Sequence, residues 1–237
     1  MYDICDIHSH ILPGMDDGCQ TVEESAQVMQ LSFTGGVRKM VATPHYNPNE
    51  PVEQFLARRE ESEQTLRRYL EEQKQDVPDF CCGAEVAYVQ GISRMEGLER
   101  LCSGNSRYLL LELPRTVWTG EVVRDLDNLH LRGLIPILAH IERYLYTQSK
   151  HLVAELLGRG PLVQMNAEHL LRFRFSGKGL KLLKKNAVHL LGSDCHGPAY
   201  RPPNLGEAVA LLEKKKMHNV LFRIEDLSNE IFRDAMR

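Results

Sequence analysis

Histidines and carboxylates, the side chains that bind transition metals, follow most of the apolar segments in this sequence. His8 and His10 form an H-x-H pair behind the first apolar run. Asp194 and His196 form a similar pair near the end of the chain. Alternate residues of an extended chain point to the same side, so each pair can share one cation. Alone, such a pair is a weak signal, because a histidine near a strand is more often a hydrogen-bonded structural residue.

Five more histidines and carboxylates complete the set, four of them behind apolar runs and the fifth, Asp17, on the loop after the first run. Glu85 and Glu112 end the runs FCCGAE and YLLLE, and a lone carboxylate is costly to bury without a partner. A salt bridge to a basic residue is the alternative for each glutamate taken singly. The nine candidate metal ligands are His8, His10, Asp17, His45, Glu85, Glu112, His140, Asp194 and His196. At about four ligands per ion, this set predicts two or three ions, and its nitrogen and oxygen atoms suit Mn, Fe, Zn or Co.

Two arginines follow candidate ligands closely enough to share their site. Arg143 lies three residues beyond His140, and Arg201 lies five residues beyond His196. Arginine binds phosphate through two parallel hydrogen bonds, so this pair beside a metal cluster predicts a clamp for a phosphoryl group. Pairing with a neighbouring acid is the alternative for both arginines. Arg115 is a weaker third candidate.

Short apolar runs rich in β-forming residues alternate with longer segments of helical period, as in repeated βα units. The predicted strands span residues 2–7, 37–43, 80–84, 108–113, 135–139, 162–165 and 188–191, with a weaker eighth at 220–222. The predicted helices span residues 52–75, 120–131, 151–157, 180–185, 205–216 and 228–236, after a first helix that opens at Thr21. In a βα barrel the carboxyl ends of all strands converge on one face, which would bring the candidate ligands together. We therefore expect one α/β domain over residues 1–237, folded as a distorted TIM-like (β/α)7–8 barrel.

Composition and charge limit the classes of partner. The chain has 29 basic and 32 acidic residues and a net charge of -3, which disfavours binding to nucleic acid. No apolar run approaches the roughly 18 residues of a membrane span, and residues 1–10 do not resemble a signal peptide. The six cysteines form no C-x-x-C pair and are expected to be reduced thiols. We expect a cytoplasmic protein that does not insert into a membrane.

The sequence resembles the PHP (polymerase and histidinol phosphatase) superfamily. Within it, the sequence is most similar to the manganese-dependent bacterial tyrosine phosphatases of capsule and exopolysaccharide gene clusters, the CpsB/CapC/YwqE type. The motifs that carry the resemblance are DIHSHILPGMDDG at 6–18, VATPH at 41–45, GAE at 83–85, LLLELP at 109–114, AHIERY at 139–144 and GSDCHGPAYRPP at 192–203. One departure is Ile141, where the family commonly has proline, and it puts the geometry of that loop in doubt.

The resemblance implies the PHP fold and a centre of three metal ions, with Mn²⁺ as the metal that the family uses. The implied groups are His8, His10, Glu85 and Asp194 at one ion, Glu85, Glu112 and His140 at a second, and Asp17, His45 and His196 at the third. Arg143 and Arg201 match the family's catalytic, phosphate-binding arginines, and the implied reaction is hydrolysis of a phosphomonoester by a metal-bound hydroxide. The implied partner is a phosphotyrosine protein, the tail of a polysaccharide-regulating bacterial tyrosine kinase. Relatives that form rings suggest a homo-oligomer.

Three other interpretations remain open on the sequence. A PHP-type phosphatase of small alkyl phosphates, such as histidinol phosphate, would use the same metals but generally lacks the HILPGMDDG signature. A non-catalytic regulator that binds a kinase would use the metals only for stability, and a PHP nuclease is disfavoured by the net charge of -3. No residue is an unambiguous general acid. This favours aryl phosphates, because a phenol with a pKa of about 10 is a better leaving group than an alkyl alcohol.

Overall fold

Strands and helices alternate along the chain in the computed structural model, which describes residues 2–237. The strands are β1 (Asp6–Ser9), β2 (Lys39–Ala42), β3 (His45–Tyr46), β4 (Asp79–Cys82), β5 (Glu85–Ala87), β6 (Tyr108–Glu112), β7 (Ile135–Leu138), β8 (Leu162–Asn166) and β9 (Leu190–Gly192). The helices are α1 (Val22–Thr34), α2 (Val52–Gln73), α3 (Gly120–Leu131), α4 (Lys150–Leu157), α5 (Ala167–Leu171), α6 (Phe173–Lys184), α7 (Leu205–Lys214) and α8 (His218–Ala235). Each of the seven main predicted strands corresponds to a strand of the structure.

The strands pair in parallel and form two sheets. The first has the order β1-β2-β4, and the second has the order β3-β5-β6-β7-β8-β9. Only Thr43 and Pro44 separate β2 from β3, and only Gly83 and Ala84 separate β4 from β5, so each pair is one segment that passes from the first sheet to the second. Pro44 has no N–H to donate to a ladder, although its carbonyl accepts from the Glu85 amide at 3.0 Å.

The two sheets curl towards each other without closing into one continuous barrel. An isolated bridge between Ser9 and Cys195 links the end of β1 to the residues after β9, and the His10 amide donates to the Cys195 carbonyl at 2.9 Å. The predicted α/β, TIM-like class is confirmed, whereas closure into a single barrel is not what the structure has. The passage of two chain segments between sheets divides the ladder that a closed barrel requires.

The weak eighth strand predicted at 220–222 is wrong, because these residues lie inside α8. Val220, Leu221 and Ile224 are buried on one side of that helix, and Ile231 continues the same side. Spacings of three, four and seven residues are those of a helix, and a window of three apolar residues is too short to reveal them. The helix predicted at 180–185 begins earlier, at Phe173, since Gly177 and Gly179 obscured its first half in the sequence.

Buried apolar side chains fill the curled sheet and leave its carboxyl edge to polar residues. Ile231 and Phe232 of α8 pack with Cys5 and Tyr108 at the amino ends of the strands. The six cysteines are buried free thiols. Among residues 2–237, no helix combines the length and the apolar character needed to cross a membrane. The carboxyl ends of the strands therefore carry the candidate site.

Candidate metal centre

Four of the candidate ligands, contributed by β1, β5 and the turn after β9, form the most buried part of the cluster. One donor atom from each of His8, His10, Glu85 and Asp194 lies within 4.8 Å of the others. Nε2 of His8 is 3.2 Å from Oε2 of Glu85 and 3.5 Å from Oδ1 of Asp194. Nε2 of His10 is 3.4 Å from each of the same two oxygens. Two imidazoles and two carboxylates thus converge on one point, which is the arrangement that a divalent cation needs.

Two further groups adjoin this one on either side. Nε2 of His140 lies 2.7 Å from Oε1 of Glu85 and 3.5 Å from Oε1 of Glu112. On the other side, Oδ1 of Asp17 lies 3.4 Å from Nε2 of both His45 and His196. Burial is the main cause that lowers the pKa of His196 to about 4, so its ring is neutral and able to bind a cation. The structure therefore places all nine predicted side chains in one cluster. The group of His8, His10, Glu85 and Asp194 is present as the motifs imply, whereas other close sets, such as His10, His45 and His196, cross the implied groups.

The loop after β1 supplies a carboxylate that orients two of these histidines. Oδ2 of Asp16 accepts from Nδ1 of His10 at 2.7 Å and from the His45 amide at 2.8 Å. Its other oxygen accepts from the Gly18 amide at 2.8 Å. A carboxylate on the outer nitrogen of a histidine fixes the ring and leaves the inner nitrogen for a metal. Sequence reasoning singled out the neighbouring Asp17 and missed Asp16, although the DDG motif contains both.

Two amide side chains of β8 also hold the cluster, and sequence reasoning missed both. Oε1 of Gln164 accepts from the His140 amide at 2.6 Å and lies 3.4 Å from Nδ1 of His8. Nε2 of Gln164 donates to Oδ1 of Asn166 at 2.9 Å, and Nδ2 of Asn166 donates to Oδ2 of Asp194 at 2.7 Å. Their spacing is the feature of the sequence that could have revealed them. Polar residues two apart in an otherwise apolar strand point to the same side of the sheet.

Carboxylates and histidines of the cluster shift one another's pKa values. Burial lowers the pKa of His8, but Glu85 and Asp194 outweigh it and the net shift is upward. Burial also opposes protonation of His10, yet hydrogen bonds to carboxylates, led by Asp16, raise its pKa well above 6.5. Although burial acts against them, His8 and the other histidines hold the pKa values of Glu85 and Asp194 below their usual range. Protons and cations therefore compete for the same nitrogens.

Both predicted clamp arginines reach into the cluster. Arg143 donates from Nη1 to Oε1 of Glu112 at 3.1 Å and from Nη2 to Oδ2 of Asp194 at 2.9 Å. Arg201 also pairs with Oδ2 of Asp194, and its Nη1 is 3.0 Å from Nε2 of His196. Their acidic partners are thus candidate ligands rather than the sequence neighbours that were the alternative. The two guanidinium groups are partly exposed, so an anion can reach them.

Three residues of the site have backbone angles that side chains rarely adopt. His140 has a φ of 32°, and Asp194 and Arg201 each have a φ of 52°. Such strained positions persist where surrounding structure imposes them, and they concentrate at functional sites. Ile141, the departure from the family's proline, is buried and begins the 3₁₀ turn that carries Arg143. The turn therefore forms without proline. Arg115, the weaker candidate, is exposed and shares no ion pair with the cluster within residues 2–237.

Most of the chain matches one protein family. Residues 4–230 match the family described as "Capsular polysaccharide synthesis, CpsB/CapC". The chain belongs to this family. The tyrosine-protein phosphatase CpsB of Streptococcus pneumoniae is 32% identical over 222 residues, which cover 89% of this chain and 90% of that protein. The tyrosine-protein phosphatase YwqE of Bacillus subtilis (strain 168) is 28% identical over 216 residues, covering 89% of this chain and 84% of that protein.

A solved structure shares the same fold over nearly its whole length. It comes from crystal structures of YwqE from Bacillus subtilis and CpsB from Streptococcus pneumoniae, described as unique metal-dependent tyrosine phosphatases. The TM-score is 0.85 at 26% sequence identity, and the match covers 98% of this chain and 95% of that chain. The family that the sequence motifs indicated for this CpsB/CapC member is therefore confirmed.

Proposed function

We propose that this CpsB/CapC family member is a metal-dependent protein-tyrosine phosphatase. The observation that carries the proposal is the meeting of buried histidines and carboxylates with two arginines, Arg143 and Arg201, that bond to one of those carboxylates, Asp194. Such a set can hold divalent cations and bind a phosphoryl group at the same place. The names of its relatives, tyrosine-protein phosphatases CpsB and YwqE, support the same activity.

The donor atoms fit divalent cations. Oε2 of Glu85 is buried without a hydrogen-bond partner among residues 2–237, and a ring nitrogen of each of three histidines lies 3.1–3.4 Å from it. Nε2 of His8 and Nε2 of His10 are only 3.2 Å apart, so two ring nitrogens face the same oxygen. A cation among them would satisfy all of these atoms together. We propose that the nine side chains hold two or three ions, with Mn²⁺ as the metal that the family motifs favour.

The arginines bind and orient the phosphoryl group in the proposed reaction. Bound divalent cations would supply a water of lowered pKa and would offset the negative charge of the phosphate. Arg143 and Arg201 converge on the position of Oδ2 of Asp194, which marks where an anionic oxygen is bound. Phosphoryl oxygens take over as acceptors for these guanidinium groups when substrate enters. The same positive charges stabilise the negative charge that moves towards the leaving oxygen.

A tyrosine leaving group suits this set of residues. A phenol has a pKa of about 10, so a phenolate departs with less help from a proton donor than an alkoxide does. We propose a phosphotyrosine protein as substrate, of which the tail of a polysaccharide-regulating tyrosine kinase is the family's example. The single domain over residues 1–237, the homo-oligomer and the cytoplasmic location expected from the sequence stay predictions.

The proposal is tested by hydrolysis of a phosphotyrosine peptide with chelator-stripped protein to which Mn²⁺ is returned. Replacing Arg201 by alanine removes a charge-assisted contact to the phosphoryl group, and kcat should fall about 10²- to 10³-fold. Arg68→Ala is the matched control, because Arg68 is exposed on α2. Histidinol phosphate is added as a competitor. Preferential hydrolysis of histidinol phosphate, or no metal-dependent turnover at all, would contradict the proposed function.

A further inference from the structure

The segment that follows β8 is strongly basic although the chain as a whole is acidic. Residues 167–185, which include α5 and α6, contain six basic residues and one acidic residue, Glu168. The whole chain has a net charge of -3. The basic residues of the segment are Arg172, Arg174, Lys178, Lys181, Lys184 and Lys185. Positive charge is thus concentrated in this one segment of the chain.

Part of this segment lines a cavity beside the proposed phosphate clamp. The cavity has a volume of about 330 Å³ and contains both Arg143 and Arg201 in its wall. Arg172, Phe175 and Tyr200 form another part of the same wall. A chain attached to a phosphoryl group in the clamp can therefore extend along these side chains. The basic segment is continuous with the proposed active site.

Three exposed aromatic side chains lie on the segments that follow the neighbouring strands β7, β8 and β9, and one of them, Tyr200, lines the cavity. Tyr146, Phe173 and Tyr200 are 57%, 95% and 71% exposed, and they follow β7, β8 and β9 in turn. The ammonium group of Lys178 lies 4.0 Å from the ring centroid of Tyr146, which ties α6 to the loop that carries Arg143. Aromatic and arginine side chains are the residues enriched in protein recognition surfaces. We call Tyr146, Arg172, Phe173, Lys178 and Tyr200 the basic rim.

The charges of the basic segment are largely uncompensated. Arg172 pairs with Glu168 four residues earlier in the chain. Arg174 and Lys178 pair with no carboxylate within 4.0 Å in the part of the chain that the structure describes. The loop after β1, residues 11–21, contains Asp16 and Asp17 and no lysine or arginine. An occupant with acidic groups would therefore be drawn towards α6 rather than towards the β1 side.

A peptide fits these features better than a membrane surface does. A helix that lies in a membrane needs a free apolar face beside its basic face. The apolar face of α6 is already used, because Leu183 is buried and Leu180 and Leu182 pack against the core. Phe173 is the one fully exposed aromatic residue of the helix. The surface of α5 and α6 adjoins the two clamp arginines, so a peptide whose phosphoryl group is held by those arginines can contact it.

We propose that the basic rim binds acidic residues next to the phosphotyrosine of the protein substrate. The basic rim thus selects phosphotyrosine sites in acidic segments. This inference rests on the proposed phosphatase function and adds a specificity to it. Each exposed charge pair contributes little, about 0.2–1 kcal/mol, so the selection comes from several contacts together.

The test compares kcat/KM for two phosphotyrosine peptides of equal length, one with acidic and one with neutral flanking residues, and uses 4-nitrophenyl phosphate as a small reference substrate. For the unaltered protein we expect kcat/KM to be about tenfold higher for the acidic peptide at low salt, and this preference should shrink as ionic strength rises. In the double variant Arg172→Ala/Lys178→Ala, the ratio of kcat/KM for the acidic peptide to that for the neutral peptide should be about fivefold smaller. The control Lys214→Ala/Lys215→Ala, at the exposed end of α7, should retain it.

The outcomes separate this inference from the proposed function. If no aryl phosphate is hydrolysed with any metal, the phosphatase function itself fails. If both peptides are hydrolysed equally well and salt has no effect, the phosphatase function stands and the basic rim has no selective role. Sedimentation with anionic vesicles serves as a parallel assay. Vesicle binding that depends on Arg172 and Lys178, without any peptide preference, would overturn the inference in favour of a membrane surface.

Discussion

Individual candidate ligands in this site are held at a fixed angle by neighbouring side chains. The Asp16 carboxylate accepts a hydrogen bond from the ring of His10 and another from the backbone amide of His45. One buried carboxylate therefore orients two candidate ligands. Gln164 and Asn166 do the same for the opposite side of the cluster. Because a misoriented imidazole cannot direct its lone pair at a cation, we expect these contacts to set the affinity for a metal.

Replacing Asp16 by asparagine should weaken metal binding. The amide keeps the shape of the side chain but removes the charge that orients His10, and loss of such a partner typically costs about 10- to 100-fold in affinity. Isothermal titration with Mn²⁺ measures the change, and activity should recover at saturating metal. Glu23→Gln, an exposed change in the first turn of α1, is the control. An unchanged affinity in the Asp16 variant would show that the orientation is set elsewhere.

Metal affinity should fall as the pH is lowered. His8 and His10 must be deprotonated to bind a cation, and both have pKa values above 6.5 because carboxylates outweigh the effect of burial. Competition by protons therefore begins above pH 6.5 and costs up to about 100-fold per pH unit when both rings are protonated. In the metal-free protein, the raised pKa values add folding stability below pH 6.5, which is lost as the pH rises through them. A Kd that is equal at pH 6, 7 and 8 would contradict this competition.

At the residue scale, the sequence reveals candidate ligands more readily than the residues that orient them. Histidines such as His8 and His10, placed where apolar runs end, are unusual enough to be noticed. Gln164 carries no such signal, because an amide in a strand is compatible with many structural roles. Its function depends on which distant side chains the fold places beside it, and a single sequence does not contain that information.

At the scale of elements, the loop between β1 and α1 packs closely against the end of β1, and this packing positions the candidate ligands there. The Cys19 amide donates to the His10 carbonyl at 3.1 Å, so the loop returns against the end of β1. A Cβ atom on Gly18 would lie 2.5 Å from Cβ of His10. Only glycine allows this approach, and the position of Asp16 depends on the same loop.

Gly18→Ala should therefore destabilise the protein and weaken metal binding. The clash is with the backbone and Cβ of a ligand residue, and overpacking of this kind costs about 1–3 kcal/mol in the free energy of unfolding. Gly177→Ala is a contrasting control, since Gly177 lies in α6 with open space around it. Alanine favours a helix more than glycine does, so this variant should gain up to about 1 kcal/mol in the free energy of unfolding. Thermal melts of both variants measure these effects. A Gly18 variant as stable as the unaltered protein would show that the loop can shift.

Strands were easier to predict than their assembly. Seven apolar runs bounded by turn residues marked seven strands, because buried parallel strands have nearly continuous apolar sequences. The division into two sheets at Pro44 and Gly83 depends on how neighbouring segments meet, which no local pattern encodes. The same limit explains α8, whose helical period became visible only over its full length.

At the scale of the whole molecule, the site concentrates charge that cations would balance. Four candidate carboxylates meet five histidines and two arginines at one edge of the sheet. The candidate ligands come from segments between residues 8 and 196, so cations bound there would link distant parts of the chain. Cations that bind the folded state and not the unfolded chain stabilise the folded state.

Removal of metal should therefore lower the thermal stability. A metal at 100 times its Kd adds about 2.7 kcal/mol, which corresponds to roughly 5–10 °C in Tm for a chain of this size. Differential scanning fluorimetry before and after dialysis against a chelator measures the shift, and addition of Mn²⁺ should reverse it. A Tm that thorough chelation leaves unchanged would count against a metal centre that joins these segments.

The central claim is that the histidine and carboxylate cluster holds the metals on which phosphotyrosine hydrolysis depends. The most direct measurement titrates Mn²⁺ into chelator-stripped protein and determines bound metal and phosphotyrosine-peptide turnover in the same samples. We predict no turnover without metal, and turnover that rises with occupancy and saturates at two or three ions per chain. Turnover that persists in the stripped protein, or that stays absent when the metal sites are filled, would contradict the account.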